Sequence, residues 1–261
     1  MPIVKLPRYT LRIRGEAATD WLAGLVTNTL NSDINFAALL TPQGKIIADF
    51  FLIRDGEDWL IDTAEKYGNE LRKRLTLYKL RTPVEILRED INVYALWEGE
   101  GNEGHIDPRN HRLGARLYGA ELDAQTLPEL YDQHRLALGI PDSHWDFDTA
   151  EIFPANANMD LLSGVDFKKG CFVGQEVVSR MYRKTEIRKR MRGIELTQAL
   201  NHTGDSDGYD ILAGERVVGR TMYVNGKYGM AMVRQDRLPD DETPLTINGQ
   251  EVRLMDLPNG E

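Results

Sequence analysis

Two Asn-Gly dipeptides, Asn225-Gly226 and Asn248-Gly249, lie between alternating apolar runs near the C-terminus. Asparagine and glycine tolerate the positive φ that a two-residue hairpin turn demands, so this pair between strand-like segments is a strong hairpin signal. Around the first lie Val217-Val218, residues 221–224 and residues 228–233; around the second lie Leu245-Thr246-Ile247 and Val252-Arg253-Leu254. The pattern predicts a small all-β domain over 187–261, barrel-like because closure removes unpaired edges.

Residues 1–186 read differently. A strand over 10–13 stops at Gly15, and Ala17, Ala18, Trp21, Leu22 and Leu25 share one helical face. Pro42 and Gly44 mark a turn between two apolar runs, and Asp55-Gly56 joins strands at 50–53 and 59–61. Leu71, Leu75 and Tyr78 define a helix, and strands follow at 84–86 and 91–96. The aperiodic stretch from Glu98 to Arg112 reads as a linker or variable loop. Leu130, Tyr131, His134 and Leu138 suit a short helix ended by Gly139 and Pro141. The fold class is α+β.

Lys and Arg number 32 against 41 Asp and Glu, a formal charge of −9. A surface of that sign repels phosphate backbones, so direct nucleic-acid binding is not expected. The run Arg180, Arg183, Lys184, Arg188, Lys189, Arg190, Arg192 opposes the global sign. It is either a solvated face or a strip suited to a polyanionic small molecule such as a polyglutamate tail. No apolar run approaches the roughly 20 residues that span a bilayer, so no membrane partner is expected. The N-terminal residues carry neither a signal core nor a transit pattern, which reads as cytoplasmic. The five histidines are scattered, and one cysteine cannot supply the thiolates of a usual cluster site, so no bound metal is expected.

That cysteine, Cys171, stands between Gly170 and Gly174, just before a helix predicted over 175–181. Unpaired N–H groups at a helix start, with Lys168 and Lys169 alongside, lower a thiol pKa and raise its reactivity. The competing reading is packing, since a free cysteine behaves as a small buried hydrophobe. Gln175 and Glu176 likewise serve equally well as ordinary helix-start polar residues.

The run Lys169-Gly170-Cys171-Phe172-Val173-Gly174-Gln175-Glu176 resembles the signature of the YgfZ branch of the GcvT-like folate-binding proteins. Val165-Asp166-Phe167-Lys168 leads in and Arg180 follows. Upstream, Ile152-Phe153-Pro154, Asn158 and Arg135-Leu136-Ala137-Leu138-Gly139-Ile140-Pro141 fit as well. Leu25-Val26-Thr27-Asn28, Thr41-Pro42-Gln43-Gly44-Lys45 and Leu80-Arg81-Thr82-Pro83 match more loosely. Phe172 stands where tyrosine is common, Thr29 where aspartate is common, and the glycine usual after the Arg180 region is missing.

The resemblance implies three packed subdomains around a central cavity holding tetrahydrofolate or a derivative, with 1–186 forming two interleaved α+β subdomains. It implies an accessory role in assembly or repair of iron–sulfur enzymes, including tRNA-modifying ones, with folate, cluster carriers and client enzymes as partners. By carry-over Cys171 and Lys169 are the catalytic candidates, and Gln175, Glu176, Arg180, Trp21, Asn28 and Arg81 the cofactor-binding ones; Lys45 is a lesser candidate. The bland alternatives are core packing for Trp21 and solvation for Arg81. The motif does not fix a reaction. A folate-dependent transfer, classical aminomethyl transfer of the glycine-cleavage type, and a binding module without chemistry are the competing readings.

Overall fold

The computed structural model describes residues 2–99, 103–119, 121–124, 126–184, 186–200, 208–240 and 243–258. The N-terminal strands are β1 (Ile3–Lys5), β2 (Arg8–Arg14), β3 (Ile34–Leu40), β4 (Ile46–Asp55), β5 (Asp58–Ala64), β6 (Glu85–Glu89), β7 (Asn92–Leu96), β8 (His105–Ile106) and β9 (Ala115–Gly119). Among them lie α1 (Ala18–Ala23) and α2 (Glu65–Lys79), and later α3 (Pro128–Ala137) and α4 (Gln175–Lys184). The C-terminal strands are β10 (Lys189–Leu200), β11 (Asp210–Ala213), β12 (Arg216–Arg234), β13 (Leu245–Ile247) and β14 (Gln250–Leu254). They close into a barrel, while a five-stranded sheet runs β3-β4-β5-β2-β6 and a four-stranded one runs β1-β7-β9-β8.

The five-stranded sheet is buried on both faces, and its side chains alternate as the pleat requires. Ala37, Leu39, Phe50, Leu52, Trp59, Ile61 and Leu11 pack with Leu22 of α1 and Leu71 and Leu75 of α2. Phe36, Ala38, Leu40, Phe51, Ile53 and Leu60 point the other way. There they meet Leu136 of α3, Val178 of α4, Met191 and Met230 of the barrel, and the long loop between α3 and α4. Helices α3 and α4, part of the barrel and the long loop therefore converge on this second face.

The predicted turns at Pro42-Gly44 and Asp55-Gly56 are the β3–β4 and β4–β5 hairpins. Asn248-Gly249 is the β13–β14 turn, with φ of 51° and 78° and Ile247 opposite Gln250. Asn225-Gly226 is a hairpin too. It sits in the middle of the 19-residue stretch β12, whose two halves turn back on each other and bring Gly229 against Tyr223 and Gly219 against Val233; the first half pairs with β11 and the second with β10. Gly226 has φ +68° at this turn and sits opposite Leu200, where the β10–β12 register shifts. The Asn225 side chain is occupied elsewhere: Oδ1 accepts from Gln133 Nε2 at 3.0 Å, and Nδ2 donates to Glu129 O and Asp132 Oδ2, both at 3.1 Å. The dipeptide thus fastens the barrel to α3.

Two expectations need correction. The stretch 98–112 is not a linker, because it carries β8 and the buried Asp107 and Arg109; residues 100–102 lie outside the described residues. Helix α3 is where it was expected, but it buries Tyr131, Asp132, Arg135 and Leu136 and leaves Leu130 exposed. Arg135 binds Asp146 through two bonds of 2.8 and 2.9 Å, Asp132 at 2.5 Å, and the carbonyl of Ile140. The Arg-x-Ala-x-Gly-Ile-Pro stretch is therefore a helix end closed onto its own following loop.

Because Asn225 makes three hydrogen bonds to α3, Asn225→Ala should cost about 2–3 kcal/mol of unfolding free energy in urea. Asn248→Ala, which removes only a residue suited to positive φ, should cost about 1 kcal/mol. Equal costs would mean that Asn225 serves only its turn.

Candidate functional site

The signature run is a turn whose alternate residues are pinned on opposite sides. Phe172 is buried in the second-face core, and Val173 packs against the α1/α2 core. Gly174 has φ +82°, and a Cβ there would fall 2.7 Å from Thr41 O, so only glycine fits between the turn and the β3–β4 hairpin. Gly170 meets no such restriction. Cys171, a free thiol, is left exposed between these anchors.

Lys169 is the main anchor. Its ammonium donates to the carbonyls of Ala23 (2.8 Å), Val26 (2.6 Å) and Asn28 (3.0 Å), one for each of its three protons. Half-burial pushes its pKa down to about 8, with Asp166 opposing. The ammonium turns back under α1 and ties the turn to the α1–β3 connection. That is a positioning role, in place of the catalytic one expected for Lys169. Asp166 supports the same turn, accepting from Thr29 Oγ1 and from Lys168 N.

The other candidates divide. Asn28 is consumed structurally, its Nδ2 donating to Phe36 O at 2.9 Å and Ser163 O at 2.7 Å. Trp21 borders the α1/α2 core and donates to Tyr78 O at 3.3 Å, so it packs instead of offering a free ring. Gln175 Nε2 lies 3.3 Å from Gly170 O and braces the turn. Glu176 and Arg180 are exposed on the outer side of α4, and Arg81 is exposed beyond α2. Lys45 caps the Phe153 ring at 3.8 Å. These residues do not form one ligand pocket. The basic run is also divided: Arg190 is paired with Asp160, and Arg192 donates to Met255 O.

A second polar centre, absent from the sequence reading, lies on the second face of the five-stranded sheet. Pleating puts Asp49 of β4 and Asp62 of β5 on that face beside Phe51. Asp62 accepts from Arg8 Nε (2.5 Å), Arg116 Nη1 (3.0 Å) and Tyr118 OH (2.9 Å). Arg116 also reaches Asp107 at 3.1 Å, and Arg109 grips Asp107 through Nε and Nη2. Arg116 stacks 3.8 Å from the Phe51 centroid and Arg109 5.0 Å. Burial opposes charge on Asp107, but Arg109 and Arg116 outweigh it and hold the carboxyl below its usual value.

Asp49 lacks such partners. Burial raises its pKa, the neighbouring Asp142 adds to the effect, and Ser143 hydrogen-bonds the carboxyl. Its Oδ1 is buried without a partner, and so is Nδ1 of His144. Burial lowers the His144 pKa, which favours the neutral ring. An unpartnered buried polar atom costs about 1–3 kcal/mol, which a ligand offering N–H donors would remove. Asp142, Ser143 and His144 belong to one loop, pinned by Tyr67 OH donating to Phe147 O at 3.0 Å. Trp145, 42% exposed, stacks on Tyr223 of the barrel and marks the outer end of this centre. Among the described residues, no group of three or more His, Cys, Asp or Glu is arranged to hold a metal ion, and no helix is long and apolar enough to cross a membrane.

Comparison with known proteins defines the class first. Over 98% of its length the chain superposes on the glycine cleavage system aminomethyltransferase T of Bartonella henselae, covering 85% of that chain with a TM-score of 0.76 at 15% identity. Residues 188–257 match the family described as CAF17, C-terminal beta-barrel domain. The molecule is thus a GcvT-like aminomethyltransferase fold closed by a CAF17-type barrel.

Within that class the chain is similar to the mitochondrial iron–sulfur cluster assembly factor IBA57. It is 30% identical to the Mycosarcoma maydis homolog over 72% of this chain and 27% identical to the human protein over 94%. The first match spans 56% of the fungal protein's length and the second 79% of the human one. The YgfZ branch is therefore a related group and not the one matched. The names of these relatives place them in mitochondria, which overturns the expected cytoplasmic location.

Two measurements test this geometry. Lys169→Met leaves three carbonyls unpaired and should cost about 2–4 kcal/mol in urea, whereas Cys171→Ala should change stability by less than about 0.5 kcal/mol. Asp107 titrates below its unfolded value, so its contribution is full above about pH 4 and is lost as pH falls below that. Wild-type unfolding free energy should drop on acidification through this window, and Asp107→Asn should flatten the slope while lowering stability at neutral pH.

Proposed function

We propose that the chain is an accessory factor for assembly or repair of iron–sulfur proteins, acting through the exposed thiol of Cys171. The observation that carries this reading is the thiol itself. It is the chain's one cysteine, and a turn locked by Lys169, Phe172, Val173 and Gly174 presents it outward. A cysteine kept only for packing would be buried. Similarity to IBA57 supports the process, with cluster carriers or client enzymes as partners and the cluster as cargo.

Tetrahydrofolate or a derivative is the proposed ligand of the buried centre. The orphaned Asp49 Oδ1 suits the N–H donors of an aminopterin edge, and the His144 Nδ1 offers a second polar contact beside it. Bound there, the folate would supply a one-carbon carrier. The chain's own part is to orient it through Asp49, Ser143 and His144, and to exclude water with the loop that Tyr67 pins. Asp49 also gives the aminomethyltransferase reading a buried carboxyl that the sequence alone did not offer, and a glycine-cleavage assay separates the two readings.

In reconstitution of a [4Fe–4S] client enzyme, Cys171→Ser and Cys171→Ala should both abolish the stimulation given by wild type. Tetrahydrofolate affinity, measured by calorimetry, should be unchanged in both and should fall about tenfold or more in Asp49→Ala. A fully active Cys171→Ala protein would leave a binding module as the reading, and absence of folate binding by wild type would remove the ligand assignment.

A further inference from the structure

The turn that exposes Cys171 continues into a surface with its own character. Helix α4 buries Val178 and turns Arg180, Tyr182 and Arg183 outward. Tyr182 is 56% exposed, yet its ring is fixed by stacking on Phe167, with centroids 3.8 Å apart and planes within 14°. Phe167 directly precedes Lys168 and Lys169, so this stack seats the outer side of α4 beside the thiol turn. Next to Tyr182 lies a small, mostly apolar cleft lined by Phe153, Pro154, Asp160, Val165, Val178 and Met181, with room for about one water.

The charge of this face is opposite to that of the protein. Among the described residues of 165–190, the exposed cations are Lys168, Arg180, Arg183, Arg188 and Lys189, and the exposed anions are Glu176 and Glu186 alone. The whole chain carries −9. Around the helix Arg183 lies about 100° from Tyr182 and Arg180 about 60° further on, so both cations lie to one side of the ring. An exposed aromatic fixed by stacking, with arginines to one side and apolar side chains beside it, is the composition of a protein-interface hot spot. A site for a free polyanion needs the cations but not the aromatic or the apolar side chains.

We propose that the exposed face of α4, with Tyr182 as its anchor, Arg183 and Arg180 to one side of it and Lys168 on the adjoining turn, docks an acidic protein surface that packs one apolar side chain against Tyr182. Docking there brings the partner to Cys171. The proposal deepens the assembly-factor reading, because it states the chemistry of the partner that would meet the thiol. The chain's net charge of −9 opposes such a partner on average, so the basic face also biases the orientation of approach.

The test uses the full chain and a synthetic peptide of glutamates and aspartates around one leucine, followed by fluorescence anisotropy at low and high salt. Wild type should bind it, more weakly as salt rises. Tyr182→Ala and Arg183→Glu should each weaken binding about tenfold, and Lys73→Glu, an exposed charge reversal on α2, should leave it unchanged. Replacing the peptide's leucine with glycine should weaken binding to wild type but not to Tyr182→Ala. Equal binding of the leucine and glycine peptides, or tighter binding of an oligonucleotide, would overturn the proposal in favour of a simple polyanion site. Both variants are surface changes, and thermal unfolding like that of wild type confirms that they fold.

A client-reconstitution titration separates this proposal from the reading it rests on. Tyr182→Ala should raise the half-saturating concentration about tenfold and reach the wild-type plateau, whereas Cys171→Ser should lower the plateau. Peptide binding without any stimulation by wild type would overturn the assembly role and uphold the docking face. Normal half-saturation by Tyr182→Ala and Arg183→Glu would overturn the docking face and uphold the assembly role.

Discussion

The guanidinium of Arg116 holds the two sheets of the N-terminal region together. It lies between Asp62 on the five-stranded sheet and Asp107 on the loop beside the four-stranded one, and it stacks on Phe51. All three charges are buried. Removing one partner of such a group leaves another charge without compensation in a low-dielectric interior, a penalty of about 3–5 kcal/mol. The arrangement is tolerable only because Arg8, Arg109 and Tyr118 satisfy the remaining carboxylate oxygens. Asp49, one strand over, is the carboxyl left out of that satisfaction. Its exceptional state follows from its neighbours being so completely paired.

The same logic explains the contrast between the two polar regions. Around Cys171 the fold spends its polar groups on position: Lys169 takes three carbonyls, Asn28 two more, and Asp166 closes the turn. The thiol itself is left facing outward. Around Asp49 and His144 buried polar atoms remain unmet.

Much of the strand and helix content and the barrel-like C-terminal unit were legible because they rest on local periodicity and turn chemistry, as at the Pro42-Gly44, Asp55-Gly56, Asn225-Gly226 and Asn248-Gly249 hairpins. What the Asn225 side chain binds was not, because Gln133, Glu129 and Asp132 of α3 lie far away in sequence. The stretch 98–112 misled for a related reason. Its Gly, Asn and His content looks like loop, and it is loop, but its Asp107 and Arg109 are buried by segments far away in sequence. The motif singled out Lys169 as a catalytic candidate, yet the carbonyls that claim its ammonium come from residues 23–28. Asp49 carried no local signal at all, since an aspartate inside an apolar strand becomes unusual only once both faces of the sheet are known to be covered.

The tie between the β12 turn and α3 bears on modularity. Residues 188–257 correspond to a recognised domain family, which suggests a part that could be cut out and moved. Yet Met191 and Met230 belong to the shared core with α3, α4 and the five-stranded sheet, and Asn225 is bonded to Gln133, Glu129 and Asp132. Excised, the barrel would keep its own interior of Ile194, Ile211, Val218 and Val233 but expose one apolar flank and the side of its β12 turn. It is a unit of inheritance that has become, in this molecule, part of a core it shares with the rest of the chain.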